Sequence, residues 1–147
     1  MKNRLILICL FAAFLVVSCS KPGNAFAPEN AVATATLTVI GPDGETLLQE
    51  TRAGIKDGCS VFDLTSYLCR ENKIALVSSG VGKSVYVKGI GGFMELARGG
   101  GSGWIYIING DASRGSKSCG AVTLSDGDSV VWRYTLNLGK DIGVDVG

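Results

Sequence analysis

The residues that could do chemistry lie close together, between Arg98 and Asn109. A glycine run, Gly99-Gly100-Gly101, leads through Ser102-Gly103 into Trp104-Ile105-Tyr106-Ile107-Ile108 and stops at Asn109-Gly110. Glycine has no Cβ, so backbone or a ligand can approach it closely. Strand alternation sends Ile105 and Ile107 to one face and Trp104, Tyr106 and Ile108 to the other. The aliphatic face is expected to meet the core. The aromatic face, beside a glycine loop, either holds a flat ligand or packs against a second layer. Arg98, at the loop mouth, either meets an anionic group or is a solvated surface arginine.

Other chemistries are missing. The chain contains no histidine, so neither a Ser-His-Asp nor a Cys-His arrangement can be assembled. Its cysteines are scattered without zinc-ligand spacing. Asp126 and Asp128 flank a turn glycine and lack the spacing of a calcium loop. The glycine runs at 89–92 and 99–103 do not open a helix with the lysine a phosphate loop needs. Neither catalysis nor a metal site or cofactor is expected; an enzyme is the weakest reading.

These residues must be placed by a domain, and the N-terminus sets where that domain sits. Lys2 and Arg4 precede an apolar run from Leu5 to Val17, too short for a membrane span and suited to a signal peptide. Val16-Val17-Ser18-Cys19 looks like a lipobox, in which the cysteine thiol takes a diacylglycerol. Residues 1–18 are therefore read as a lipoprotein signal peptide, Cys19 as the lipidation site, 19–31 as a small, polar, proline-containing tether, and 32–147 as one domain. The expected location is extracytoplasmic and lipid-anchored, at an outer membrane or cell surface or facing the periplasm. Removing Lys2 and Arg4 leaves twelve basic side chains against thirteen acidic ones. No basic patch marks a nucleic-acid partner.

Within the domain, Thr34, Thr36 and Thr38 alternate with Ala35, Leu37 and Val39, a strand with one wet face. Gly41-Pro42-Asp43-Gly44 is a turn into a second strand over Glu45–Thr51. Ser60 and Asp63 form a capping box before a helix with Val61, Leu64 and Leu68 on one face, ending near Asn72. Strands are expected at 74–77, 84–88, 104–108, 121–124 and 129–136. The last carries Val130, Trp132 and Tyr134 on one side and Val131 and Arg133 on the other. The order has one helix after the first hairpin, an α+β arrangement.

Several of these pieces, taken together, resemble a known family. Gly58-Cys59-Ser60-Val61-Phe62-Asp63-Leu64, Tyr86-Val87-Lys88-Gly89-Ile90, the block from Ser102 to Gly110, Leu124-Ser125-Asp126-Gly127-Asp128, Trp132-Arg133-Tyr134-Thr135 and Leu138-Gly139-Lys140-Asp141-Ile142-Gly143 occur in order. They resemble the DUF4430 family over roughly residues 32–143. That family is similar to the C-terminal β-domain of transcobalamin and intrinsic factor. The resemblance implies a β-grasp-like fold whose last strand runs parallel to its first. It also implies a corrinoid such as cobalamin as ligand, with Ser102, Trp104, Tyr106 and Asn109 nearest the site. In those relatives a helical domain covers the other face of the ligand, and this chain lacks one, so a second binding protein or an uptake receptor is an expected partner.

Cys59 and Cys69 flank one helix. Ten residues at about 1.5 Å each put them roughly 15 Å apart, too far for a disulfide. The implied fold brings the segment before the last strand to the start of the helix, which pairs Cys59 with Cys119; Cys69–Cys119, or three unpaired thiols, are the alternatives. Two functional readings follow. One is a tethered binder of a small, partly aromatic ligand on Trp104 and Tyr106, for which Trp104→Ala should abolish binding and leave the fold intact. The other is a surface module for a protein or glycan, without a small-molecule ligand.

Overall fold

The computed structural model describes residues 30–144. The leader, Cys19 and most of the tether lie outside the described residues. Strand β1, Ala33–Ile40, turns at Pro42–Gly44 into β2, Thr46–Ile55. Helix α1, Val61–Glu71, follows, and then β3, Leu76–Ser79; β4, Tyr86–Ile90; β5, Phe93–Met94; β6, Gly103–Ile108; and β7, Asp128–Thr135.

The strands form two sheets, one ordered β2-β1-β7-β6 and the other β3-β4-β5. β1 and β7 are parallel, with Leu37 opposite Val130 and Val39 opposite Trp132. β6 pairs antiparallel to β7, with Trp104 opposite Tyr134 and Tyr106 opposite Trp132. A hairpin, a crossing helix and a parallel central pair give the β-grasp-like α+β arrangement the resemblance implied.

Alternation in β1 is as expected: Ala35, Leu37 and Val39 are buried, and the threonines line the other face. β2 runs four residues past Thr51, because Ala53 and Ile55 continue the ladder opposite Ala35 and Ala33. At the helix start, Ser60 Oγ accepts from Asp63 N at 3.1 Å and Asp63 Oδ2 accepts from Ser60 N at 2.9 Å, a complete capping box. Val61, Leu64 and Leu68 are all buried. Asn72 closes the helix, its Nδ2 donating to Leu68 O at 2.8 Å.

The strand expected at 121–124 is not formed; a single bridge joins Ser60 to Thr123. The segment spends its hydrogen bonds on the helix end instead. Val61 N donates to Val122 O and Phe62 N to Cys119 O, each at 3.0 Å. Two N–H groups without an intrahelical partner are thereby satisfied.

The same register corrects the disulfide. Cys119 does lie beside the helix start, but opposite Phe62, while Cys59 O accepts from Leu124 N at 2.8 Å. The two cysteines sit on one pair of segments several residues out of step, and Cys59, Cys69 and Cys119 are all free. The Cys119 thiol points at Val85 O, 3.5 Å away. Cys59 faces the carbonyl of Ser60 on the other side.

Candidate ligand site

The face of β6 that meets the core is the aromatic one. Trp104, Tyr106 and Ile108 are 6, 3 and 1 % exposed, whereas Ile105 and Ile107 are only half-buried. This reverses the expected orientation of the strand. The physical reason is that every polar atom on the aromatic face finds a partner, which removes the cost of burying it. Trp104 Nε1 donates to Phe93 O at 2.8 Å, and Trp132 Nε1 donates to Thr65 Oγ1 on the helix at 2.8 Å. Tyr134 OH donates to Met94 O at 2.8 Å. The Tyr106 hydroxyl lies 2.6 Å from Arg114 O and 2.8 Å from Lys117 O. The rings also meet each other. Trp104 stands edge-on to Tyr134 with centroids 5.2 Å apart, and Tyr106 tilts against Trp132 at the same distance.

Between β4, β6 and the loop at 115–119 this aromatic layer is left open, as a cavity of about 330 Å³. Trp104, Tyr106 and Trp132 line it from the sheet, Tyr86 and Val87 from β4, and Ser84 and Lys117 from the flanking loops. The loop crosses β6 closely: a Cβ on Gly115 would stand 2.4 Å from Tyr106 O, so only glycine fits there. Burial pushes the Tyr106 phenol up to about 12, with Cys119 adding to the rise and Arg114 opposing it. Burial also pushes the Cys119 thiol up to about 11. Both stay protonated at neutral pH, so they present neutral, weakly polar surfaces rather than a nucleophile or a base. The arrangement suits an aromatic or apolar group with a few polar substituents.

The six residues singled out in the sequence do not gather at one point. Trp104 and Tyr106 share this cavity. Gly103 opens β6, opposite Thr135. Ser102 knots the preceding turn: its Oγ donates to Gly99 O at 2.9 Å and accepts from Arg98 N at 3.1 Å. Arg98 is ion-paired with Asp43 on the surface at 2.9 Å. Asn109 lies at the far end of the strand with φ 53°. Its Nδ2 donates to Asp128 Oδ1 at 2.7 Å and its Oδ1 accepts from Ser129 N at 2.8 Å. Cavity residues not singled out for a ligand include Tyr86, Lys117, Cys119 and Trp132. Tyr86 and Trp132 lie in the motif blocks and Cys119 reads as a disulfide partner, but none of these signals points to the cavity.

A second cavity, of about 290 Å³, lies between the end of β2 and α1, lined by Ile55, Cys59, Leu64 and Tyr67 among others. Burial, then the neighbouring Asp63 carboxylate, raises the Cys59 thiol above its ordinary value. Among the described residues no cluster of cysteines and carboxylates could hold a metal ion. No described helix is long and apolar enough to cross a membrane.

A mixed four-stranded sheet with one crossing helix and a small second sheet defines the class, an α+β domain of β-grasp type. The chain belongs to the DUF4430 family, a domain of unknown function, whose model matches residues 60–136. That span runs from the helix cap to the end of β7; the first hairpin completes the fold outside it. The chain is similar in structure to a candidate metal-binding protein from Ruminococcus gnavus ATCC 29149, with a TM-score of 0.50 and 17% identity over 70% of this chain and 96% of that one. It is also similar to haptocorrin, solved in complex with Cbi, with a TM-score of 0.55 and 14% identity over 76% of this chain. The match covers only 27% of haptocorrin. At these identities the likeness is one of fold. It agrees with the transcobalamin-like relation read from the motifs. No curated protein matches the chain in sequence.

Proposed function

We propose that this chain is a binding protein, not an enzyme, which takes a ring-bearing small molecule into the cavity over Trp104, Tyr106 and Trp132. The cavity itself carries the reading: three buried aromatic side chains, uncharged at physiological pH, line it between β4 and the 115–119 loop. A corrinoid is the best single ligand, supported by the family resemblance and by the shared fold with haptocorrin. A cavity of about 330 Å³ takes an edge or a substituent of such a ligand, so a second protein would cover the remainder. The domain is held outside the cytoplasm by lipid on Cys19, where it captures ligand for an uptake receptor. Labelling with radioactive palmitate tests the anchor; the label should be absent from Cys19→Ala.

Titration with cyanocobalamin, followed by tryptophan fluorescence and heat, tests the ligand. One-to-one binding that is lost in Tyr86→Ala supports both the ligand and the cavity. Tyr86 is the variant of choice because its side chain is half exposed and its loss spares the core. Binding unchanged in Tyr86→Ala would place the ligand elsewhere, and no heat at high micromolar ligand would remove the corrinoid as a stand-alone ligand.

One observation favours the second reading, a docking module for a protein or glycan. Leu96, Leu136 and Leu138 are 62, 44 and 60 % exposed on segments joined by the bonds Leu96 N to Ser102 O and Leu138 N to Gly101 O. Cross-linking on cells with a photoreactive group at Leu138 would test it; a product confined to the protein itself counts against it.

A further inference from the structure

Arg133 sits on the face of β7 opposite the aromatic layer, between Ile40 of β1 and Ile105 of β6. The Nε of its guanidinium is buried and has no hydrogen-bond partner among the described residues. Nη1 donates to Ile142 O, at 3.5 Å. Leaving a buried N–H donor without a partner is costly. The side chain borders a cavity of about 210 Å³ between the Gly41–Gly44 turn and the segment around Asp141 and Ile142.

Both carboxylates on that cavity are committed elsewhere. Asp43 is paired with Arg98 at 2.9 Å. Asp141 accepts from the Thr135 hydroxyl, from Leu136 N at 2.8 Å and from Asn137 N at 3.2 Å. Neither neutralises Arg133. Planar, forked donors of this kind match the oxygen spacing of carboxylate and phosphate.

We infer that Arg133 and the cavity beside it form a binding site for a small oxyanion, a carboxylate or phosphate group, separate from the aromatic cavity. The site shares no lining residue with the cavity over Trp104, Tyr106 and Trp132.

The test uses the purified protein and thermal melts at constant ionic strength, with chloride replaced by inorganic phosphate in one arm and by acetate in the other. A rise of roughly 5 °C is expected at about tenfold excess over the dissociation constant, growing with the logarithm of anion concentration above it. The response should vanish in Arg133→Gln and persist in Arg70→Gln, which alters an exposed arginine of α1. The readout is the anion-dependent shift, so a change in basal stability does not confuse it. If Arg133→Gln does not fold, the Nε–Hε resonance of Arg133 in the wild-type protein should move saturably with the same anion. Response in the phosphate arm alone assigns the site to phosphate, and response in the acetate arm alone assigns it to carboxylate. An equal shift in Arg133→Gln means an adventitious ion only and overturns the proposal. So does the absence of any anion-dependent rise.

Discussion

The two faces of the four-stranded sheet are built on opposite plans. The inner face is aromatic: Trp104, Tyr106, Trp132 and Tyr134 are each buried, and each has a polar atom held by a carbonyl or a hydroxyl from another element. The outer face carries Ile105, Ile107, Val131, Arg133 and the β1 threonines, all half-buried. Its cover is slight: Ile142 O receives Arg133 Nη1, and Val144 lies against Gly139 beside Ile105. Apolarity alone therefore did not choose the core face. The choice followed where the second layer supplied partners for N–H and O–H groups.

Substitutions on the two faces should differ accordingly. The largest effect is expected from Trp132→Ala, which empties a buried site and removes the N–H that Thr65 Oγ1 accepts from, leaving that hydroxyl only its bond to Val61 O. A loss of roughly 3–5 kcal/mol in urea unfolding is expected, a large part of the whole stability of a domain this size. Trp104→Ala belongs to the same class, because its ring packs on Tyr134 and its Nε1 is bonded. Its loss of ligand would thus not be separable from loss of fold, contrary to the expectation from sequence. A cost below about 1 kcal/mol for either would break the contrast between the faces.

Smaller effects sharpen it. Ser60→Ala removes the cap of the helix that covers the inner face and should cost about 1 kcal/mol. Ile107→Ala, on the half-open outer face, should cost about the same or less; a loss as large as that of Trp132→Ala would mean the outer face is covered. Thr36→Val, on the same outer face, should change stability by no more than about 0.5 kcal/mol.

A last comparison concerns slope in acid rather than size at neutral pH. Burial acts to raise the Asp141 carboxyl, but bonds from the Thr135 hydroxyl and the Leu136 and Asn137 N–H groups outweigh it and hold the group below its ordinary value. A carboxyl lowered in the folded state stabilises fully above its unfolded value of about 4 and loses that contribution as pH falls through the folded value. Melting temperatures from about pH 6 down to about pH 2 should therefore fall less steeply in Asp141→Asn than in the wild type. Equal slopes would remove Asp141 as the clamp of the segment over the outer face.

Local rules read from neighbouring residues survived folding. The capping box at Ser60 and Asp63, the helix stripe, the Pro42–Gly44 turn and the alternation of β1 depend on contacts within a few residues, so spacing was enough. Register was not legible in the same way. β2 is longer than its polar residues suggest because Ala53 and Ile55 pair across the ladder, and 121–124 forms no strand because the helix end takes its carbonyls. The site was half legible. The glycine loop and the aromatic strand pointed to Trp104 and Tyr106, but Tyr86, Lys117 and Cys119 reach the same cavity from elements whose placement no local pattern states.

Sequence alone determined the family, the α+β class, the hairpin and capped helix, and the absence of histidine chemistry, because residue types and short spacings carry all of these. Tertiary structure decided which face of β6 is buried, that Cys59 and Cys119 miss each other, that Arg98 is paired with Asp43 and that Arg133 Nε is buried without a partner among the described residues. Each of those depends on which groups are brought within about 3 Å by strand register and layer packing, and hydrogen bonds and ion pairs act only at that range.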